Sequence, residues 1–163
     1  MIPLNELSRA VQLRETGRWE EARALLLELS IKMPEDPSVW YQCAWVHDVM
    51  ELEREAVPFY EKALELGISG GERQGALLGL GSTFRTLGWY ERSKAVLEQA
   101  IAEFPERREF QVFYAMVLYN LKEHGRAMEI LLKQLAETSR DTDIQSYKKA
   151  ILFYSDKLER VWE

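Results

Sequence analysis

The chain has 163 residues and a net charge of −6, with 21 Lys and Arg against 27 Asp and Glu. Its 47% hydrophobic and 29% charged residues exclude a disordered chain, and its single cysteine excludes a disulfide scaffold. The acidic balance repels phosphate backbones and anionic lipid heads, and no apolar run approaches the roughly 18 residues that span a bilayer, so neither nucleic acid nor a membrane is an expected partner.

The N-terminus, Met1-Ile2-Pro3-Leu4-Asn5-Glu6, has neither the basic start nor the apolar stretch of a secretory signal; with Cys43 as sole cysteine, the expectation is a cytoplasmic protein. Helical spacing of apolar residues begins at Ala10 and Leu13, breaks at Gly17, and resumes with Ala22, Leu26 and Leu29 until Pro34. Asp36 then has the character of an N-cap with Pro37 in the first helical position, opening a helix to about Met50. Leu52-Glu53-Arg54-Glu55-Ala56 starts the next helix, and Pro58 falls early enough in it not to break it. Gly67-Ile68-Ser69-Gly70-Gly71 reads as a flexible connection and a hinge. Beyond it, Gly88-Trp89-Tyr90-Glu91-Arg92-Ser93 matches Gly17-Arg18-Trp19-Glu20-Glu21-Ala22, with glycine, aromatic, acid and small residue in register 71 residues apart. Two periods of about 34 residues leave a three-residue excess, which falls at the glycine-rich connection. Pro105 closes the third unit, and a fourth copy places its small residue at Ala127. From Asp141 or Thr142 as N-cap, one long helix is expected, with Ile144, Tyr147, Ile151, Tyr154, Leu158 and Val161 forming a continuous apolar stripe.

This periodicity resembles the tetratricopeptide repeat family, whose unit carries W-x2-L-G-x2-Y, then A-x3-F, then a small residue and a proline. Unit two supplies Trp40, Cys43, Ala44 and His47, then Ala56, Tyr60 and Ala63. Unit three supplies Leu77, Leu80, Gly81 and Phe84, then Ser93, Leu97, Ala100 and Pro105. Unit one matches mainly in its second helix, at Ala22, Leu26, Leu29 and Pro34. Unit four has Tyr114, Ala115, Leu118, Ala127 and Leu131, but Gln134 and Ser139 replace the small residue and the proline. The resemblance implies an all-α fold: a right-handed α-solenoid, or superhelix, of about four helix-turn-helix units plus a C-terminal capping helix. Residues 1–163 would then be a single domain, with repeats at about 3–36, 37–70, 74–107 and 108–141 and the capping helix over 142–163.

Little in the chain suits catalysis. Cys43 and His47, four apart on one helix, have the spacing of a metal or thiolate pair, but both occupy interhelical packing positions. His124 has nothing nearby to complete a ligand set. Gly79-Leu80-Gly81-Ser82-Thr83 lacks the preceding strand and the following lysine of a phosphate loop, so its glycines read as helix contacts. No catalytic residue, metal site or cofactor is expected, and the chain is expected not to be an enzyme.

The first helix of each unit presents a face away from its second helix, and stacked repeats turn that face inward as a concave groove. By register the groove is lined by Leu7, Val11 and Arg14, then Tyr41, Trp45 and Asp48. Leu78, Ser82 and Arg85 follow from unit three, and Val112, Met116 and Tyr119 from unit four. The lining is mostly apolar, and Tyr41, Trp45 and Tyr119 are rigid aromatics of the kind that anchor partners. The alternative is that a tight superhelix or the C-terminal helix closes over these residues as core. Leu7 and Val11 stand where a chaperone-binding subgroup carries polar residues that grip a C-terminal carboxylate, so that clamp is not expected. Asp48 and Arg85 would set the direction of a bound ligand. The expected function is a non-enzymatic protein–protein interaction module or scaffold binding an apolar or amphipathic peptide of unidentified origin. A homodimer formed through the groove or the C-terminal helix is the alternative.

Overall fold

The computed structural model describes residues 4–163, with side chains from Glu6 onward; the expected start of the first repeat at Pro3 lies outside them. The chain divides into two compact units, Met1–Trp89 and Tyr90–Glu163.

The first unit holds α1 (Leu4–Glu15), α2 (Trp19–Lys32), α3 (Pro37–Val49), α4 (Glu53–Glu65) and α5 (Gly70–Thr86). Each helix packs on the next, and α1 and α5 both also touch α3. The core is built from Ala10 and Leu13, Ala22, Leu26 and Leu29, and Val39, Cys43 and Val46, the helical spacing legible in the sequence. Ala10, Ala22, Ala44 and Ala56 are fully buried, which lets the helix axes approach, while each buried leucine contributes roughly 1.5–3 kcal/mol. Asp36 caps α3 by accepting from the Ser38 amide at 2.9 Å, with Pro37 as its first residue. Pro58 lies inside α4 without ending it.

The second unit holds α6 (Tyr90–Glu103), α7 (Glu109–Asn120), α8 (His124–Thr138), α9 (Thr142–Ser146) and α10 (Lys148–Tyr154). Its helices α6, α7 and α8 pack in sequence and α10 lies on α8. Phe110, Leu97, Val117 and Leu118 are fully buried, together with the small residues Ser93, Ala100 and Ala136.

The turn between the two helices of a pair recurs four times. Gly17, Glu51, Gly88 and Lys122 each have a left-handed backbone, with φ of 79°, 60°, 76° and 67°. In each the residue after it donates its amide to a carbonyl five residues back: Arg18 to Leu13, Leu52 to His47, Trp89 to Phe84 and Glu123 to Leu118, at 2.8–2.9 Å. This is the Schellman closure of a helix, which glycine adopts freely and other residues at a cost of about 1 kcal/mol. The same turn therefore persists where glycine is absent.

Two expectations are corrected. Gly67–Gly71 is not a flexible hinge, because the Ile68 amide donates to the Ala63 carbonyl at 3.1 Å and its side chain is buried. The three-residue excess instead lengthens α5, which starts at Gly70 and is 17 residues long against 13 for α3. The tail is likewise not one helix over 142–163. It breaks at Tyr147, ends its second segment at Tyr154 and runs on without helix. Asp141 does cap α9, accepting from the Asp143 and Ile144 amides at 3.0 Å. The break accompanies a contact back to the preceding helix: the Gln145 side-chain amide donates to the Ala136 and Ser139 carbonyls at 3.0 and 2.8 Å, so the α9 turn is spent closing the end of α8. Of the expected stripe only Ile144 and Ile151 are partly buried; Tyr147, Tyr154, Leu158 and Val161 are exposed. The partly buried residues of α10 are Lys148, Ala150, Ile151 and Leu152, and Ser155 just after it is buried.

Candidate functional site: the face of α1, α3 and α5

The first unit brings Arg14, Tyr41 and Trp45 together. The Arg14 guanidinium lies 3.6 Å from the centroid of the Trp45 ring, and the Tyr41 and Trp45 rings are 5.6 Å apart. Trp45 remains 36% exposed, whereas Arg14 and Tyr41 are each only 7% exposed. Trp45 is thus the accessible top of the cluster, and Tyr41 is its floor and not an anchor a partner would reach. Burial pushes the Tyr41 hydroxyl up to about 12. Leu7 and Val11 are partly buried, and Leu7 packs against the core between α1, α2 and α3. Leu78, Ser82 and Arg85 are also partly buried.

Asp48 is engaged internally. Its carboxylate accepts from the Tyr60 hydroxyl at 2.5 Å and from the Thr83 hydroxyl at 2.9 and 3.0 Å, tying α3 to α4 and α5. Burial raises the Asp48 carboxyl above its ordinary value, and the bonds from Tyr60 and Thr83 offset only part of that shift. A carboxyl with a raised folded value holds its proton more tightly in the folded chain. Its contribution to stability is therefore present below the unfolded value and lost as pH rises through the folded one. On raising the pH upward from 3.8, the wild type should lose urea stability relative to Asp48→Asn. A difference between the two chains that stays constant with pH would contradict this.

Sequence reasoning read the glycines of Gly79-Leu80-Gly81-Ser82-Thr83 as helix contacts, which Gly79 is, but missed Tyr60, Thr83 and Gly75 as supports of this face. A side chain at Gly75 would run into the Tyr41 hydroxyl, and one at Gly79 into the Tyr60 ring. The two glycines give α5 its close approach to α3 and α4. The signal was present in the pair of glycines one helical turn apart within Gly75-Ala76-Leu77-Leu78-Gly79, opposite two tyrosines of the preceding unit.

In the second unit, Val112 and Met116 are partly buried on α7, and Tyr119 is 60% exposed with its ring 4.8 Å from that of His124. Arg126 lies over Tyr114, 5.5 Å from the ring centroid.

Cys43 and His47 are buried packing residues. The Cys43 thiol donates to the Leu26 carbonyl at 3.4 Å, and burial pushes it up to about 12, which leaves it protonated and a poor nucleophile near neutral pH. His47 Nδ1 donates to the Cys43 carbonyl at 2.7 Å, and its ring lies 4.8 Å from that of Phe59. Among the described residues there is no group of three or more His, Cys, Asp or Glu positioned to hold a metal ion. No helix among them is long and apolar enough to cross a membrane.

Comparisons with known proteins agree on the fold. A family model described as Tetratrico peptide repeat matches residues 37–158. No curated protein sequence matches the chain. Among solved structures, a chain of the APC/C hetero-tetramer Cut9–Hcn1 aligns with a TM-score of 0.74 at 20% identity. The alignment covers 91% of this chain and 29% of that one, so the present chain spans under a third of its length. MamA 41-end from Desulfovibrio magneticus RS-1 aligns at TM-score 0.70 and 17% identity, covering 95% of this chain and 93% of that one. YrrB, described as a TPR protein with an unusual peptide-binding site, aligns at 0.65 and 16%, covering 97% and 92%. At these identities the likeness establishes the all-α solenoid fold and nothing finer. The paired helices, the recurrent Schellman turns and the matching family model together show that the chain belongs to the tetratricopeptide repeat family.

Proposed function

We propose that the chain is a non-enzymatic interaction module that takes an apolar or amphipathic peptide segment on the face of α1, α3 and α5. Its family has an interaction fold whose members bind protein or peptide partners. The observation that carries the reading is Trp45: a large aromatic, 36% exposed, held flat by Arg14 below it and by Tyr41 beside it. A pre-positioned aromatic with few rotamers loses little entropy on binding and buries large area, the usual profile of an interface anchor. The peptide-binding site described for YrrB is a property of YrrB and lends support by fold alone. The inert Cys43 and internally bonded His47 favour a binding role over a catalytic one.

The competing reading is self-association, and one observation favours it: Phe153, Tyr154, Leu158 and Trp162 are exposed on the C-terminal segment of the second unit. Both readings meet in one experiment, a synthetic random-peptide library with free C-termini panned on wild type and on Trp45→Ala, with light scattering on the same samples. A concentration-independent monomer whose selected peptides bind Trp45→Ala at least tenfold more weakly supports the peptide reading, the loss of about 1.4 kcal/mol being modest for an aromatic anchor. A dimer that Trp162→Ser disperses, with no Trp45-dependent peptide, supports self-association instead.

A further inference from the structure

We infer that α8 is a second docking surface, independent of the Trp45 face, and that its occupant is an amphipathic helix of another protein that displaces α9 and α10. The occupant carries apolar residues at i, i+4 and i+7. In the first three repeats the large residue of the second helix, four after its small residue, is sealed: Leu26, Tyr60 and Leu97 are 0%, 2% and 0% exposed. The first helix of the next repeat does the sealing, since α2 packs on α3, α4 on α5 and α6 on α7. Two of these sealing helices show the row most plainly, with Val39, Cys43 and Val46 on α3 and Phe110, Tyr114 and Val117 on α7, all buried.

On α8 the corresponding residue, Leu131, is 38% exposed, and Met128 and Leu135 on the same face are each 44% exposed. The segment standing in the place of a sealing helix is α9 with α10. Gln145 donates to the carbonyl six residues back, Ser139, at 2.8 Å, as Trp40 of α3 does to Pro34 at 2.8 Å. In that register the row of the tail is Ile144, Lys148 and Ile151, so a lysine takes the place of Cys43 and Tyr114. All three are only partly buried, and the helix breaks within the row, at Tyr147. A lysine must carry its ammonium to water and does not seal as its counterparts do, so the tail is a weak cap. A helix with an apolar residue in that place continues the stacking interface of α2 with α3, α4 with α5 and α6 with α7, and buries what Lys148 leaves open. A second copy of this chain does not supply such a helix from its first repeat, because the matching residues of α1 are Asn5, Arg9 and Gln12.

The probe for this surface is a synthetic peptide of residues 36–50, the α3 sequence with its cap, labelled with a fluorophore and extended by lysines for solubility. A peptide of residues 3–16 from α1 is the control. Both are titrated into the full chain under reducing conditions, and hydrogen exchange is recorded with and without probe. The expected result is that the α3 peptide binds and the α1 peptide does not, and that the amides of α9 and α10 lose protection on binding. Leu131→Ser and Lys148→Leu should each weaken binding about tenfold, the first by removing an apolar contact and the second by completing the row of the tail, whereas Trp45→Ala should leave it unchanged. Absence of binding, or binding that neither α8-directed variant weakens, would overturn the inference without touching the Trp45 reading. Binding that leaves α9 and α10 fully protected would overturn the displacement, and a dimer of the chain alone that Leu131→Ser disperses would make the occupant a second copy and overturn the choice of partner. Should Leu131→Ser lose the helical circular dichroism of wild type, Lys148→Leu, which removes no apolar contact, decides.

Discussion

Gly79→Ala is expected to destabilise the chain by about 2 kcal/mol, although alanine favours a helix over glycine by about 1 kcal/mol. The added methyl would overlap the Tyr60 hydroxyl and lie 2.5 Å from the ring carbon that bears it. Tyr60 is buried and has little room to retreat. Moving it costs about 1–3 kcal/mol in overpacking and also strains its 2.5 Å bond to Asp48, a hydrogen bond to a charged group worth about 1.5–3 kcal/mol. These terms together exceed the helix gain. Gly125→Ala is the internal control, because nothing lies within 4 Å of the added methyl there and a gain of up to about 1 kcal/mol is expected. Urea midpoints of the two variants should move in opposite directions. A neutral or stabilised Gly79→Ala would mean that α5 does not depend on this contact.

Phe110→Ala should be more damaging, at about 3–5 kcal/mol, since the ring is 0% exposed and packs 6.3 Å from Phe104. Its location makes the pattern of unfolding informative. In repeat proteins stability is approximately a sum over repeats and their neighbour contacts, so weakening one region can uncouple it from the rest. Phe110 and Trp162 are in the second unit, whereas Trp19, Trp40, Trp45 and Trp89 are in the first. Hydrogen exchange is expected to show α6 to α8 losing protection at lower urea than α1 to α4 in Phe110→Ala. A single concerted loss across all helices, displaced by the full amount, would contradict the neighbour-sum description.

The helix pairs were legible because a 3.6-residue apolar spacing runs through each, and at Gly17 and Gly88 a glycine break signal agrees with it. Where glycine was missing, at Glu51 and Lys122, the spacing alone located the turn, and the left-handed residue fell in the same place. The tail shows what spacing cannot decide. Ile144 to Val161 is compatible with one helix, but the Gln145 side chain finds carbonyls at the end of α8, an interaction between segments that no local pattern encodes. The same holds for the candidate site. Register placed Arg14, Tyr41, Trp45 and Asp48 on one face, and the structure keeps Arg14 and Trp45 in contact there. It also turns Asp48 toward Tyr60 and Thr83 and sinks Tyr41 beneath the surface, outcomes set by the glycines of α5 on the facing helix.

The central claim is that Trp45 and its surroundings form the ligand face, and the measurement that addresses it most directly is heteronuclear NMR of the chain titrated with a library-selected peptide. The expected result is a set of perturbed resonances on α1, α3 and α5: the Trp45 indole N–H, the Arg14 Nε–H and the amides around Leu78 and Ser82. Perturbations confined to the exposed Leu27 and Ile31 of α2, or to Phe153 and Trp162 of the C-terminal segment, with the Trp45 indole unmoved, would contradict it.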